Sequence, residues 1–554
     1  MHYSTMSIAV ERAGAGSSSV AMLNESSVLE RLGGVHNGTT LGEILLISVF
    51  GPLCVLLRNL LLPLLFPLKK AWSEKRWTDL SLKLVLDVTL AVLPNVLTFT
   101  VWSDHILLLV CIVAVVVFLL LLPYYILKYV WPHRRRVLEA FDSPVLLKRP
   151  FALSYYRAYI LIVTCICILA VDFPVFPSRF AKTDVFGYGL MDMGLGLFLI
   201  ANALTSADVR HDDKTRLFRR LYSTIVLILL GMVRFLVVVT LSTYHGSVSE
   251  YGRHWNFFFS IAAVKLIGSL AAEVLPLERV SWLVALLVGG LYNYLLLYRG
   301  WAEVLLYGTD GTGERENLFD ANREGLMELG GFTALYFAGL QLGALIQKPR
   351  GALRDWLMLL LELAFVSLGV YFALRASEQF VGSPSRRLAN LTYCLWLLFI
   401  NCAGVAFALG VEVCGILGSI LRSDADSTVL PMDRFDLLLG DVRPNQDAAI
   451  GEGRCRRQHP FEWFSPCAYV ILNRWPLTYF LLGNLLTGFV NVIVFRRSSG
   501  VRLAASKWTA VVILCLYVTA LSALLQVLDL LAKWWKSRRR RRRAPPPPAS
   551  SEMA

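Results

Sequence analysis

Asp172 and Lys182 are the residues of this chain whose types and spacing are best suited to moving a proton. They stand near the start of VDFPVFPSRFAKTDVFGYGLMDMGLG, Val171 to Gly196, with Arg179 between them and Asp192 beyond. A carboxylate partly removed from water holds its proton more tightly than a free one, which suits abstraction of a hydroxyl proton near neutral pH. Lys182 then has two roles open to it: it keeps that carboxylate ionised, or it meets an oxyanion or a phosphate. Pro174 and Pro177 force the chain out of helical geometry here, because proline lacks an N–H and clashes with the preceding turn. Irregular backbone beside a membrane is tolerated only where protein buries it or water reaches it. Ionisable groups at such a place default to a functional role. A structural ion pair at a helix boundary is the competing account of the two charges.

Two further polar stretches stand where they could join this one. SEYGRHWNFF, Ser249 to Phe258, carries Glu250, Arg253, His254 and Asn256 at the mouth of an apolar segment. NLFDANREGLMELGG, Asn317 to Gly331, carries Asn322. A His near a membrane surface titrates in a useful range, so His254 is a rival base. With Trp255 beside it, an interfacial anchor is the stronger account, and His254, Asn256 and Asn322 are expected in substrate binding or support. Asp192 falls about two turns inside a predicted span, where an unpaired charge is costly. Arg234, Lys265 and Asp87 are the intramembrane candidates to pair with it, or to touch a lipid phosphate.

The elements that must position these groups are apolar. Of 554 residues, 56% are hydrophobic, and the mean hydropathy is +0.57. Such a composition belongs to an all-α polytopic membrane protein. At about 17 to 25 apolar residues per crossing, about thirteen spans in a single bundle are expected, near 44–66, 81–102, 106–129, 155–172, 186–206, 221–243, 256–275, 280–298, 327–346, 354–375, 388–414, 476–495 and 508–531. Residues 1–40 read as a luminal N-terminal tail, 41–532 as the transmembrane domain with a cytosolic loop at 423–475, and 533–554 as a basic, Pro-rich cytosolic tail. The orientation follows from Lys69, Lys70, Lys75 and Arg76, from Arg134 to Arg136, and from Arg210 to Arg220, which fall in alternate loops. It places the three polar stretches on the luminal side.

Net charge of +14 does not point to nucleic acid, since the basic residues lie between apolar segments and at the end. Residues 1–40 lack a basic region followed by an apolar core, so no cleaved signal is expected. Most cysteines lie in apolar segments and read as small buried hydrophobes. Cys455, His459 and Cys467 lack a fourth ligand for zinc, and no metal site is expected.

The stretch from Ala170 to Gly196 resembles the signature of the glucosaminyl-phosphatidylinositol inositol acyltransferases, the family of the GPI-anchored wall transfer and phosphatidylinositol-glycan class W proteins. It departs at Ser178, where Arg is usual, and at Asp184, where Glu is common. EYGRHWNFF, the ANREG segment, FLLGNLLTGFVN from Phe480 to Asn491 and the early NGTT of Asn37 to Thr40 are similar to further family motifs, in the same order. The resemblance implies transfer of a fatty acyl group, typically palmitoyl, from acyl-CoA to the inositol 2-hydroxyl of glucosaminyl-phosphatidylinositol in the endoplasmic reticulum membrane. It implies Asp172 and Lys182 as the catalytic pair and acyl-CoA as co-substrate, among membrane lipids; Arg179, Asp192, His254, Asn256, Asn322, Arg234 and Lys265 are the substrate-binding candidates read from the residues, and no separate cofactor is expected. Scattered intramembrane charges and Pro-broken helices also suit a secondary transporter or lipid scramblase, but no pair of matched interrupted helices in two repeated halves is visible. A structural subunit would not need these charges gathered on one face.

Overall fold

The computed structural model describes residues 38–65, 85–132, 134–135, 138, 151–206, 216–240, 248–311, 313–348, 350, 352–423, 467–496 and 506–543. Most of the N-terminal tail, most of the loop 423–475 and most of the basic loops that orient the spans lie outside these residues. Among the described residues every regular element is helical, and isolated bridges join Gly38 and Thr39 to Tyr188.

Among the described residues, nine helices are long and apolar enough to cross a membrane: Leu41–Leu61, Ser103–Lys128, Ala152–Ala170, Phe257–Val274, Leu277–Tyr298, Leu318–Gln347, Leu353–Phe380, Leu391–Cys414 and Lys507–Ala532. Four of the expected spans fall on shorter apolar helices, Val85–Thr98, Met191–Ala203, Leu221–Val237 and Pro476–Val492. Leu107, Leu119 and Leu127 on one helix and Phe365 on another are more than half exposed, as lipid-facing side chains are. Widened turns at Val88–Val92 and Val115–Leu121 precede Pro94 and Pro123. A proline ring displaces the carbonyl four residues before it, and that carbonyl falls inside each widened stretch.

Residue contacts divide the chain, expected as a single bundle, into two compact units, each drawn from several segments. The first comprises Met1–Leu41, Ser178–Lys348 and Phe365–Cys402. Its described helices are α1 (Gly194–Ala203), α2 (Arg216–Thr240), α3 (Val248–Tyr251), α4 (Phe257–Val274), α5 (Leu277–Tyr298), α6 (Trp301–Tyr307), α7 (Leu318–Met327) and α8 (Leu329–Gln347). The buried helix α8 packs against α1, α4 and α5. Close approach depends on its small residues: a Cβ at Gly339 would lie 2.8 Å from the Ala203 side chain, and one at Gly343 would lie 2.9 Å from the Leu204 carbonyl oxygen. Without water inside a membrane to drive helices together, such backbone proximity supplies the packing.

The second unit comprises Gly42–Pro177, Pro349–Ala364 and Ala403–Ala554. Within it the helix Phe151–Ala170 begins with its Ala152 N–H donated to the buried Glu412 carboxylate at 2.7 Å. An acceptor there satisfies one of the first-turn donors that no helix can satisfy for itself. Arg58 pairs with Asp87, Nε to Oδ1 at 2.8 Å, with both side chains almost fully buried.

Candidate active site

Asp172 follows the end of the helix Phe151–Ala170 directly, its N–H bonded back to the Leu169 carbonyl. Its carboxylate is exposed and accepts a hydrogen bond from Asn491 Nδ2 at 2.8 Å. The register explains the pairing. Asn491 lies on the helix Pro476–Arg496, two turns after Gly483, and a Cβ at Gly483 would lie 2.8 Å from Cys165 Sγ. Cys165 is in turn two turns before Asp172, so the close approach at Gly483 sets the amide against the carboxylate. Partial burial raises the Asp172 pKa above the usual carboxylate value, and the Asn491 amide, which favours the charged form, offsets part of that rise.

Lys182 belongs to the first unit, where its Nζ lies 2.6 Å from Glu250 Oε2, with 41% of the Lys182 side chain exposed. Glu250 lies on the short helix α3. Burial pushes its carboxyl up, but Arg386 and Lys182 outweigh burial and hold it below the usual carboxylate value. Arg386 lies between Phe380 and Leu391, in the turn joining two long helices, and is 7% exposed. Its Nη2 donates to the Glu250 backbone carbonyl at 3.3 Å, and its guanidinium lies over the Tyr251 ring at 5.6 Å. Burial alone would lower the Arg386 pKa; Glu250, Glu328 and Asp192 more than reverse this and keep the guanidinium charged.

Asp192 is not two turns inside a span. Apart from one 3-10 turn at Ser178–Phe180, the backbone stays irregular from Val171 to Leu190, with φ +124° at Gly187, and the helix α1 opens only at Gly194. Asp192 therefore sits in a single tight turn before it, 1% exposed. Its Oδ2 accepts from the N–H and the hydroxyl of Thr183, at 3.0 and 2.8 Å. Its Oδ1 lies 3.6 Å from Arg386 Nε, and its backbone carbonyl accepts from the Tyr393 hydroxyl at 2.8 Å. The cation beside Asp192 is thus Arg386, and the expectation of Arg234, Lys265 or Asp87 is corrected. Lys265 Nζ reaches Ser223 Oγ at 3.1 Å, Arg234 acts on Glu250 through charge alone, and Asp87 belongs to Arg58. Arg179 lies over the Phe180 ring at 4.9 Å.

The other two polar stretches meet within the same unit. Asn322 Oδ1 accepts from the backbone N–H groups of His254 and Trp255, at 2.8 and 3.0 Å, while its Nδ2 donates to the Leu318 carbonyl. The His254 ring packs edge-on to Phe235. Asn256 caps α4 by accepting from the N–H groups of Phe258 and Phe259, and its Nδ2 donates to the Gly231 carbonyl. Asn256 spends its donor and acceptor on the backbone, while Asn322 holds the backbone and also brings its Nδ2 within 3.4 Å of His254 Nδ1, which is the geometry of positioning residues. Trp255 Nε1 donates to Ser260 Oγ, which in turn donates to the buried Glu328 at 3.3 Å. Glu324, fully buried, receives both terminal nitrogens of Arg315 and one from Arg387. Among the described residues no group of His, Cys, Asp and Glu is arranged to hold a metal ion.

Arg386, Glu328 and Asn491 were not singled out from the sequence. The adjacent Arg386 and Arg387 at the mouth of a predicted span were the available signal for the first of these. Asn491 closes the FLLGNLLTGFVN motif but stands far from Asp172 in sequence.

The family described as GWT1 matches residues 30–528. The glucosaminyl-phosphatidylinositol-acyltransferase PIGW of Mus musculus is 32% identical over 520 residues, covering 90% of this chain and 96% of that protein. The PIGW protein of Homo sapiens is 32% identical over 487 residues, covering 85% and 92%. GPI-anchored wall transfer protein 1 of Gibberella zeae is 31% identical over 429 residues, covering 72% and 76%. With a family match along nearly the whole length and relatives covered almost end to end, the chain belongs to the GWT1 family.

Proposed function

We propose that this multi-pass membrane protein is an O-acyltransferase that moves a fatty acyl group, typically palmitoyl, from acyl-CoA to the inositol 2-hydroxyl of glucosaminyl-phosphatidylinositol during GPI-anchor synthesis in the endoplasmic reticulum membrane. The observation that carries this reading is the 32% identity to a named glucosaminyl-phosphatidylinositol acyltransferase over 90% of the chain. Two local environments fit the chemistry. Asp172 combines an exposed carboxylate, a pKa raised by partial burial and an amide that fixes its orientation. Lys182 is an exposed cation with a carboxylate partner.

In this reading Asp172 takes the proton of the inositol hydroxyl as its oxygen forms a bond to the thioester carbonyl carbon. The Lys182 ammonium opposes the charge on the tetrahedral oxyanion. Collapse breaks the carbon–sulfur bond, and the departing CoA thiolate takes up the proton that Asp172 removed. Membrane lipids surround the apolar helices.

Acyl transfer from radiolabelled palmitoyl-CoA to glucosaminyl-phosphatidylinositol by the purified full chain in lipid nanodiscs tests the reading. Wild type is expected to acylate the inositol. Asp172→Asn at equal folded yield should lose on the order of 100-fold or more, the usual contribution of a positioned base. Wild-type protein that transfers no acyl group but moves lipid between leaflets would instead be a scramblase.

A further inference from the structure

Lys182 is held by two routes that converge on one buried side chain. The first runs through its ammonium, which pairs with Glu250 at 2.6 Å. The second runs through the backbone next to it: both the N–H and the hydroxyl of Thr183 are held by Asp192. Arg386 stands behind both routes. Its Nε lies 3.6 Å from Asp192 Oδ1, and its Nη2 donates to the Glu250 carbonyl. The turn that carries Arg386 is itself pinned to the Lys182 stretch, with the Gly187 N–H donated to the Pro384 carbonyl at 2.9 Å. Within that turn Asn390 accepts from the Ser385 N–H and donates to the Ser383 carbonyl.

The burial pattern separates tool from support. The Lys182 side chain is 41% exposed and Glu250 20%, whereas Asp192 and Arg386 are 1% and 7% exposed. An exposed surface ion pair contributes little stability, so folding alone gives small reason to build a buried arginine behind this one. A cation that must stand at a fixed point with a fixed charge gives a reason, because misplacement by about 1 Å costs on the order of 100-fold in rate.

We propose that Glu250 and Arg386 are the positioning residues of Lys182: Glu250 fixes where the ammonium stands, and Arg386 locks Glu250 and the Asp192–Thr183 clasp to one another. This rests on the role given above to Lys182. The charged and titratable groups bearing on the pair are Asp192 and Arg386, with Arg234, Glu328 and Tyr251 interacting with Glu250.

The test uses the full chain in nanodiscs, with kcat and KM measured for palmitoyl-CoA and glucosaminyl-phosphatidylinositol. Glu250→Gln keeps the side-chain shape at a partly exposed site, so it is the variant least able to unfold the protein. It should lower kcat on the order of 10- to 100-fold with KM little changed. In a Lys182→Ala background Glu250→Gln should cost nothing further, because its effect passes through Lys182. Arg386→Lys should retain more activity than Arg386→Met at equal folded yield. An unchanged kcat in Glu250→Gln, or a loss that multiplies with that of Lys182→Ala, overturns the proposal while leaving the acyltransferase reading intact. A Lys182→Ala variant as active as wild type removes the role of Lys182 itself, and an inactive wild type removes the acyltransferase reading.

Discussion

Asn491 donates a hydrogen bond to the carboxylate of Asp172 at 2.8 Å across 319 residues of sequence. The amide does two things for a base. It chooses which carboxylate oxygen is occupied, leaving the other to face a hydroxyl, and it favours the ionised form against the burial that disfavours it. Asn491→Leu removes the donor and leaves the burial, so the Asp172 pKa rises further. A base works only when ionised, and the acid limb of kcat/KM must therefore move to higher pH. At alkaline pH, where the carboxylate is ionised in either protein, the loss should shrink to the part due to orientation. A pH profile of acyl transfer by Asn491→Leu checks this; an acid limb that stays in place means the amide has no electrostatic role.

Asp192 is the buried member of the clasp that holds Thr183, and its removal should cost far more than a surface charge does. Asp192→Ala leaves Arg386 without its near carboxylate and two Thr183 donors without an acceptor. Breaking a buried pair by removing one partner costs about 3–5 kcal/mol. Asp192→Asn keeps an oxygen for Thr183 and should lose less. Thermal unfolding in detergent, followed by size exclusion, should rank wild type above Asp192→Asn and Asp192→Ala last. Equal melting of the two variants would mean that charge, rather than the Thr183 clasp, carries the effect.

The charges of the site were legible in the sequence, whereas their partners were not. Asp172, Lys182 and Asp192 stand out because ionisable groups beside two prolines in an apolar chain are costly unless used. Lys182 pairs with Glu250 and Asp192 with Arg386, each brought in from another part of the chain. Pattern along a chain reports the period of a helix and its nearest faces, so it offered Arg234, Lys265 and Asp87, which are charges within apolar segments. The apolar segments were readable because hydropathy is a local sum. The late opening of α1 was not, because it depends on Gly187 adopting φ +124° and on Asp192 facing Thr183. Asn256 and Asn322 looked like head-group amides, yet short amides beside free backbone donors compete equally well as caps.

Gly252 and Asn322 together shape the turn that carries His254. Gly252 has φ +103°, and a Cβ there would lie 2.6 Å from both the Ala321 carbonyl oxygen and Asn322 Cα. Asn322 itself leaves helical geometry within α7, at φ −130°, to hold the His254 and Trp255 N–H groups. Gly252→Ala meets a disfavoured backbone region and a backbone clash at once, for about 1–3 kcal/mol or more. Asn322→Ala leaves two donors to find new partners, at about 1–3 kcal/mol for each that stays dry. Since the two act on one turn, the double variant should lose less than the sum. Additive losses in thermal stability would show that the two positions act independently.

Arg58 and Asp87 offer the corresponding test in the second unit. The pair is almost fully buried, with Arg58 Nη1 also donated to Asn59 Oδ1 at 2.8 Å. Arg58→Met strands the Asp87 carboxylate, and Asp87→Leu strands the guanidinium; each should destabilise by about 3–5 kcal/mol. The double variant removes both charges from a setting where their attraction only offsets the cost of taking them out of water, so it should recover most of either loss. The recovery should appear in melting temperature and in folded yield alike, with acyl transfer by the surviving folded protein unchanged. If the double variant unfolds as readily as the singles, the pair itself specifies the local packing. If it recovers stability but not activity, this end of the chain has a part in catalysis that its distance in sequence from Asp172 does not suggest.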